Sequence, residues 1–216
     1  MTYLQIVNNI LKRLRERTVS TVNETAYSEM IGILVNDAKH EIEEAWDWNA
    51  FKTTLTASTV QNVLSYELDT ANQNFTTIDV INDTSNFIMK RGTTAQFNKW
   101  YLTVDPANTG SPTHYNYNGV DADNNVIVDI YPKPDGVYNL RFNLFIRPEE
   151  LSTDTDTLLI PDKPVIMLAY AKAIEERGED GGQAAASAYA TALRLATDAI
   201  AYDANKNPEE LIFTTV

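Results

Sequence analysis

Cysteine is absent from this 216-residue chain. That excludes a disulfide framework and any thiolate metal site, and it leaves the redox compartment open. Histidine is nearly absent too, with only His40 and His114. No run of about 18 apolar residues occurs, so no membrane-spanning helix is expected. The opening segment MTYLQIVNNILKRLRER is amphipathic and charged. It lacks the apolar core and small-residue cleavage site of a secretory signal, so the chain is expected to be soluble and made in a cytoplasm. No G-x-S-x-G elbow, Walker loop or G-x-G-x-x-G occurs. Positive charge is also scarce: 17 Lys and Arg stand against 30 Asp and Glu, a net charge of −13. Because nucleic-acid binding rests on phosphate neutralisation by Lys and Arg, a general DNA-binding role is disfavoured.

What the chain does contain falls into three blocks. A chain of this length buries roughly 70% of its unfolded surface, enough for a core without metal or disulfide. From Thr2 to about Arg17, apolar residues at Leu4, Val7, Leu11 and Leu14 have helical spacing. After a β-branched break, Asn23 or Thr25 can cap a second helix. Its stripe runs Ala26, Met30, Ile31, Leu34, Val35, Ala38, Ile42, Ala45 and Trp46. Trp46 is expected in the core, with Trp48 and Phe51 over the joint between helix and strands. From Phe51 to Arg147 the pattern changes to short runs rich in Thr, Val, Ile, Tyr and Phe, separated by turn residues. FKTTLTAS, VLSYEL, TTIDVI, NFIMKR, QFNKWYLT, THYNYN, NVIVDIY and VYNLRFNLFI all read as strands, the last two as a hairpin through PKPDG. Beyond RPEELSTDTDTLLIP, prolines 161 and 164 open a helix that ends at Gly178, with Gly181-Gly182 following. An alanine-rich helix then runs from Ala184 to about Asn205, and Pro208 releases a tail of strand-like composition.

The expected fold is therefore α+β. Helices at 1–49 and 149–205 complete one bundle, an antiparallel sandwich or barrel-like domain is inserted at 50–148, and residues 206–216 form an extended docking tail.

The search for chemistry returns packing readings. His40 lies three residues before Glu43, without the H-E-x-x-H spacing of a zinc helix. His114, beside Tyr115, reads as strand packing. Asp121-Ala-Asp123-Asn-Asn125 begins like a calcium loop but has Val126 where glycine is required and Pro132 where glutamate is required. It reads as a hairpin turn. Asp154-Thr-Asp156 reads as a turn and helix lead-in, and the acidic Glu179-Asp180 ahead of the glycine pair speaks against a phosphate site. Many carboxylates are present, but spacing singles out no glycosidase pair. Trp100, Tyr101, Tyr115 and Tyr117 could line a sugar-binding sheet face, or they could pack the sheet. No catalytic residue, metal ligand or cofactor is assigned.

Charge is uneven. Lys12, Arg13, Arg15 and Arg17 against Glu16 give the first helix +3, leaving −16 of the total −13 for the rest. Such a run is either a solvated helix face or a docking face for an acidic neighbour, another copy of this chain included.

The order of several segments carries a resemblance. VNDAKHEIEEAWDWNAF ends the second helix, GSPTHYNYNG and IVDIYPKPDGVYNLRF follow in the strand block, and LSTDTDTLLIPDKPVIMLAYAKAIEERGED leads into the alanine-rich helix. This layout resembles the head-to-tail adaptor proteins of tailed phages, especially the podoviral type called tail tubular protein A, over nearly the whole chain. The resemblance implies a structural, non-enzymatic subunit of a ring, typically of twelve copies. Such a ring lies beneath the portal, joins it to the tail nozzle, and passes DNA as non-specific cargo through its channel. It implies a place in the virion at the head–tail junction. No individual residue role carries over, because the role depends on surfaces. The residues expected to meet partners are Lys12, Arg13, Arg15 and Arg17 on the first helix and Leu211, Ile212, Phe213 and Val216 in the tail. The tail could add a strand to a neighbour's sheet or enter a groove on the portal. The reading from another class is a carbohydrate- or receptor-binding module whose strand block carries the site.

Overall fold

The computed structural model describes residues 1–71, 73–103, 108–122, 125–178 and 182–206. It divides into a helical unit, residues 1–50 with 150 onward, and a strand unit, residues 51–149.

In the helical unit, α1 (Tyr3–Arg13) starts from a reciprocal cap. The Gln5 amide donates to Thr2 Oγ1 at 3.3 Å, and the Thr2 amide donates to Gln5 Oε1 at 3.1 Å. Tyr3, Ile6, Val7, Ile10 and Leu11 are buried on one stripe. The helix stops four residues short of the expected Arg17, for a backbone reason. Arg15 takes a left-handed conformation, φ 60°. Its amide donates to the Lys12 carbonyl at 3.2 Å, and the Glu16 amide donates to the Leu11 carbonyl at 2.9 Å. That paired closure is a Schellman motif with arginine where glycine is usual.

A 3-10 turn at Val22–Glu24 precedes α2 (Ala26–Glu44). Of the two candidate caps, Thr25 is used. It exchanges side-chain bonds with Ser28, whose hydroxyl also donates to the Val22 carbonyl at 2.7 Å. Ile31, Val35, Ala38 and Ile42 are fully or nearly fully buried, whereas Ala26 and Ala45 at the ends of the expected stripe are exposed. At Gly32 a side chain would strike the Tyr3 hydroxyl and would meet Val22 Cγ1 at 2.9 Å, so glycine sets the close approach of α1 to α2. The tryptophan expectation is corrected here. Trp46 is only half-buried because α2 has already ended. Trp48 is the core residue, 1% exposed, its indole N–H donating to the Ile42 carbonyl at 3.0 Å.

α4 (Asp162–Arg177) ends at Gly178, φ 62°, as a glycine C-cap requires, and α5 (Gln183–Ala204) returns along it. Ala185, Ala188, Ala192 and Ala196 are the buried stripe of α5, and Ala169, Ala171 and Ala173 are fully buried in α4. The small residues of the α5 stripe permit close approach to a neighbouring helix.

The strand unit holds two open four-stranded sheets that do not close into a barrel. Its strands are β1 (Lys52–Ser58), β2 (Ser65–Leu68), β3 (Phe75–Asn82), β4 (Phe87–Ile88), β5 (Lys90–Arg91), β6 (His114–Val120), β7 (Val126–Tyr131) and β8 (Asn139–Ile146). One sheet has the order β1-β8-β3-β4, the other β2-β7-β6-β5. All pairs are antiparallel except β5 with β6. Val80, Leu140, Phe142 and Leu144 from the first sheet and Tyr115, Val128 and Ile130 from the second share one apolar cluster. The sheets thus pack face to face as a sandwich.

Two expectations fail. β7 and β8 are not a hairpin: they lie in different sheets, and PKPDG carries the chain across the sandwich. QFNKWYLT is not a strand but most of α3 (Thr94–Thr103). Its start is fixed by Thr93 and Gln96, which cap each other through 3.0 and 3.3 Å bonds. Phe97, Trp100 and Tyr101 follow at helical spacing, with Phe97 2% exposed.

Candidate functional site

The basic run that the sequence singles out lies at one end of the helical unit. Lys12 and Arg13 close α1, and Arg15 and Arg17 follow its left-handed turn. All four are exposed, and among the described residues none forms an ion pair. Arg13 is held by neutral partners. Its Nε donates to Asn9 Oδ1 at 3.0 Å, its Nη1 to Met167 Sδ at 3.2 Å, and its guanidinium lies 5.9 Å from the centre of the Tyr170 ring. The positive charge therefore remains available to solvent or a partner.

Arg177, which sequence reasoning missed, holds this end together. Its Nε donates to the Tyr27 hydroxyl at 2.8 Å, Nη1 to the Leu14 carbonyl at 3.4 Å, and Nη2 to Glu16 at 2.6 Å. The guanidinium also sits 5.1 Å over the Tyr27 ring. One side chain at the end of α4 thus joins the end of α1 to the first turn of α2. It also neutralises Glu16, the one acidic residue within the basic run.

The acidic segment before α4 is structural. The Asp156 carboxylate accepts from the amides of Ser152 and Thr153, both at 2.7 Å, and from the Thr153 hydroxyl at 2.5 Å. These bonds bring the Asp156 carboxyl down to about 2. Its carbonyl accepts from the Tyr3 amide at 2.8 Å, and Asp154 Oδ1 accepts from the Val22 amide at 2.9 Å. The loop clamps the start of α1 and the turn before α2.

The partner residues expected in the tail, Leu211, Ile212, Phe213 and Val216, lie outside the described residues. The last described residue, Lys206, lines a cleft of about 440 Å³ with Met1, Trp48, Leu159, Tyr202 and Asp203. Asp203 is buried there, accepting from the Asn49 amide at 2.8 Å and from Lys206 at 3.2 Å. A second groove, of about 380 Å³ and mostly apolar, lies on the helical unit between α2, α4 and α5. Neither groove is legible along the chain, since each joins residues more than a hundred positions apart.

The other candidates take a surface position, a packing contact and a turn. His40 is exposed on α2, 3.2 Å from Glu44. His114 sits edge-on to Trp100, ring centres 5.0 Å apart, and burial lowers its pKa. In the turn at Asp121, the Asn125 amide donates to the Asp121 carboxylate at 2.8 Å. Asp123 of that turn, like Glu179, Asp180 and Gly181, lies outside the described residues. Among the described residues no group of three or more His, Asp or Glu could hold a metal, and no helix is long and apolar enough to cross a membrane.

The four aromatic residues of the sugar-binding reading do not form a platform. Trp100 stacks on Tyr131 at 4.6 Å, and the Tyr101 hydroxyl donates to the Ile130 carbonyl. Tyr115 is 5% exposed in the sandwich core. Tyr117 packs edge-on to Phe75, and its hydroxyl bonds Thr77 at 2.8 Å. Each is engaged by neighbours within the strand unit.

The family model described as SU10 adaptor protein matches residues 1–209, and the chain belongs to that family, a phage adaptor-type structural protein of the virion. No curated protein matches the chain.

Proposed function

We propose that the chain is a subunit of a head-to-tail adaptor ring that joins the portal of a tailed phage to its tail and forms part of the DNA channel. The observation that carries this reading is the adaptor family match across residues 1–209. The layout resemblance to the tail tubular protein A type supports the finer station and a ring of about twelve copies. On this reading the protein is made in the host cytoplasm, has no enzymatic activity, and works through its surfaces. Its partners are other copies, the portal and the tail nozzle, with DNA as non-specific cargo.

A closed ring needs heterologous contacts, one face of each copy meeting a different face of the next. A chain carrying an unpaired basic end on an otherwise strongly acidic body suits that requirement. The net charge of −13 also suits a conduit. An acidic lumen repels DNA over about 8 Å at physiological ionic strength, so passing DNA does not adhere. A lumen lined by Lys and Arg would contradict that part.

The tail residues Leu211, Ile212, Phe213 and Val216 dock on the portal or on a neighbour's sheet, where alternating side chains give specificity. Truncation after Pro208 should leave the melting curve unchanged and weaken portal capture. Full-strength capture would refute the tail's role. The station itself is tested by gold-labelled antibody on purified particles. Label at the head–tail junction is expected, and label confined to the distal tail tip would overturn it.

A further inference from the structure

Among the described residues, the apolar groove of the helical unit has an open wall. Ile42, Leu168, Ala192 and Ala196 form its floor, while Leu193 on its rim is 71% exposed. Its surround is acidic. Glu41 lines it, with its side chain 59% exposed, and Glu44 is 52% exposed one residue from Ala45 of the lining. Glu175 accepts from the Tyr189 hydroxyl at 2.7 Å. Among the described residues the cations nearby are each matched by an acid, which leaves Glu44 and Glu175 as the negative charge in excess. Lys172 pairs with Glu41 at 3.1 Å and Arg194 with Asp198 at 3.5 Å.

The groove and the basic run lie on opposite sides of one helix. Successive residues of a helix turn about 100°. Leu168, Lys172 and Glu175 of α4 therefore share the side that faces the groove and its acidic surround. Met167, Tyr170 and Arg177, which hold Arg13, Leu14 and Glu16, lie on roughly the other side. A basic knob on one side and an acidic, apolar-floored socket on the other cannot meet within one molecule. They can meet between molecules, head to tail.

We infer that this groove receives the basic end of α1, Lys12 to Arg17, from a second copy of the chain, and that this contact propagates the ring. The inference rests on the adaptor-ring reading and names its interface. The aliphatic stems of Arg and Lys suit the exposed Leu193 rim, and their charged heads reach Glu44 and Glu175. The contact is heterologous, so every open chain of copies ends in one free knob and one free socket until the ring closes.

The cysteine-free sequence allows a direct test. Arg15→Cys and Leu193→Cys are made singly and together in the tagged full-length chain and carried into particles assembled in the source host. A short bis-maleimide crosslinker is then applied. The double variant should give a ladder beyond the dimer, the two singles co-incorporated should give dimers only, and either single alone should give none. Both positions are exposed, so folding should be unaffected, and equal melting curves check that. Lys12→Cys with Thr197→Cys provides a second pair. Particles that contain the double variants but yield no ladder with either pair overturn this interface and leave the adaptor reading standing. Dimers from Arg15→Cys alone show a two-fold contact and also overturn it. Failure of the wild-type chain to enter particles removes the adaptor reading, and this inference with it.

Discussion

Replacing Arg177 with methionine keeps most of the stem and removes the charge and every bond of the guanidinium. The structure says which of its contacts should matter. The ion pair with Glu16 is short, 2.6 Å, but Glu16 is 45% and Arg177 22% exposed, so solvent screening limits the pair to about 0–1 kcal/mol. The guanidinium over the Tyr27 ring at 5.1 Å contributes about 0.5–1 kcal/mol. The bond to the Tyr27 hydroxyl at 2.8 Å has a charged donor in a partly buried setting, worth about 1.5 kcal/mol. These contacts share one group and do not add, so Arg177→Met should cost about 2 kcal/mol, most of it through Tyr27. Glu16→Gln alone should cost well under about 1 kcal/mol, and 0.5 M salt should do little more. Urea unfolding read by hydrogen exchange separates the helical unit from the strand unit, and the loss should fall on the helical unit. Equal losses from Glu16→Gln and Arg177→Met, both abolished by salt, would refute the assignment to Tyr27.

Gly32→Ala places a methyl against Tyr3 and Val22, so it should lower helical-unit stability by about 1–3 kcal/mol in the same assay. Trp48→Ala should cost about 3–5 kcal/mol and Trp46→Ala clearly less, reversing the order that the apolar stripe of α2 suggests. Arg15→Gly relieves a left-handed arginine and should leave thermal stability equal or slightly raised, by up to about 1 kcal/mol, while weakening assembly through loss of charge. The Asp156 carboxyl titrates at about 2 in the fold, below its unfolded value, so its contribution is complete above about pH 4 and fades as pH falls through 2. Asp156→Asn should therefore be less stable than wild type at neutral pH and converge with it near pH 2 in an acid series of thermal melts.

The helices were largely legible because each has a local signature. Thr25 caps α2, Gly178 ends α4, and the alanines of α5 recur at helical spacing. The end of α1 was not, because an arginine occupies the left-handed position and no glycine marks it. Helix α3 had a readable sign, Thr93 and Gln96 as a capping box ahead of Phe97, Trp100 and Tyr101. Its aromatic, β-branched composition and strand-rich surroundings outweighed that sign. The PKPDG connection reads as a hairpin turn from either side. Only the burial of both flanking strands in one core, from opposite sheets, places it across the sandwich. The basic run was visible as charge, but the groove that complements it was not. Glu41, Leu168 and Leu193 meet only through the packing of three helices.

The most direct test of the adaptor account is to capture the tagged chain from lysate of its source and image what it brings. The account requires closed rings of this chain, about twelve copies each, joined to a portal on one side and tail protein on the other. Isolated monomers free of virion proteins, while untagged particles from the same lysate contain none of the chain, would contradict it.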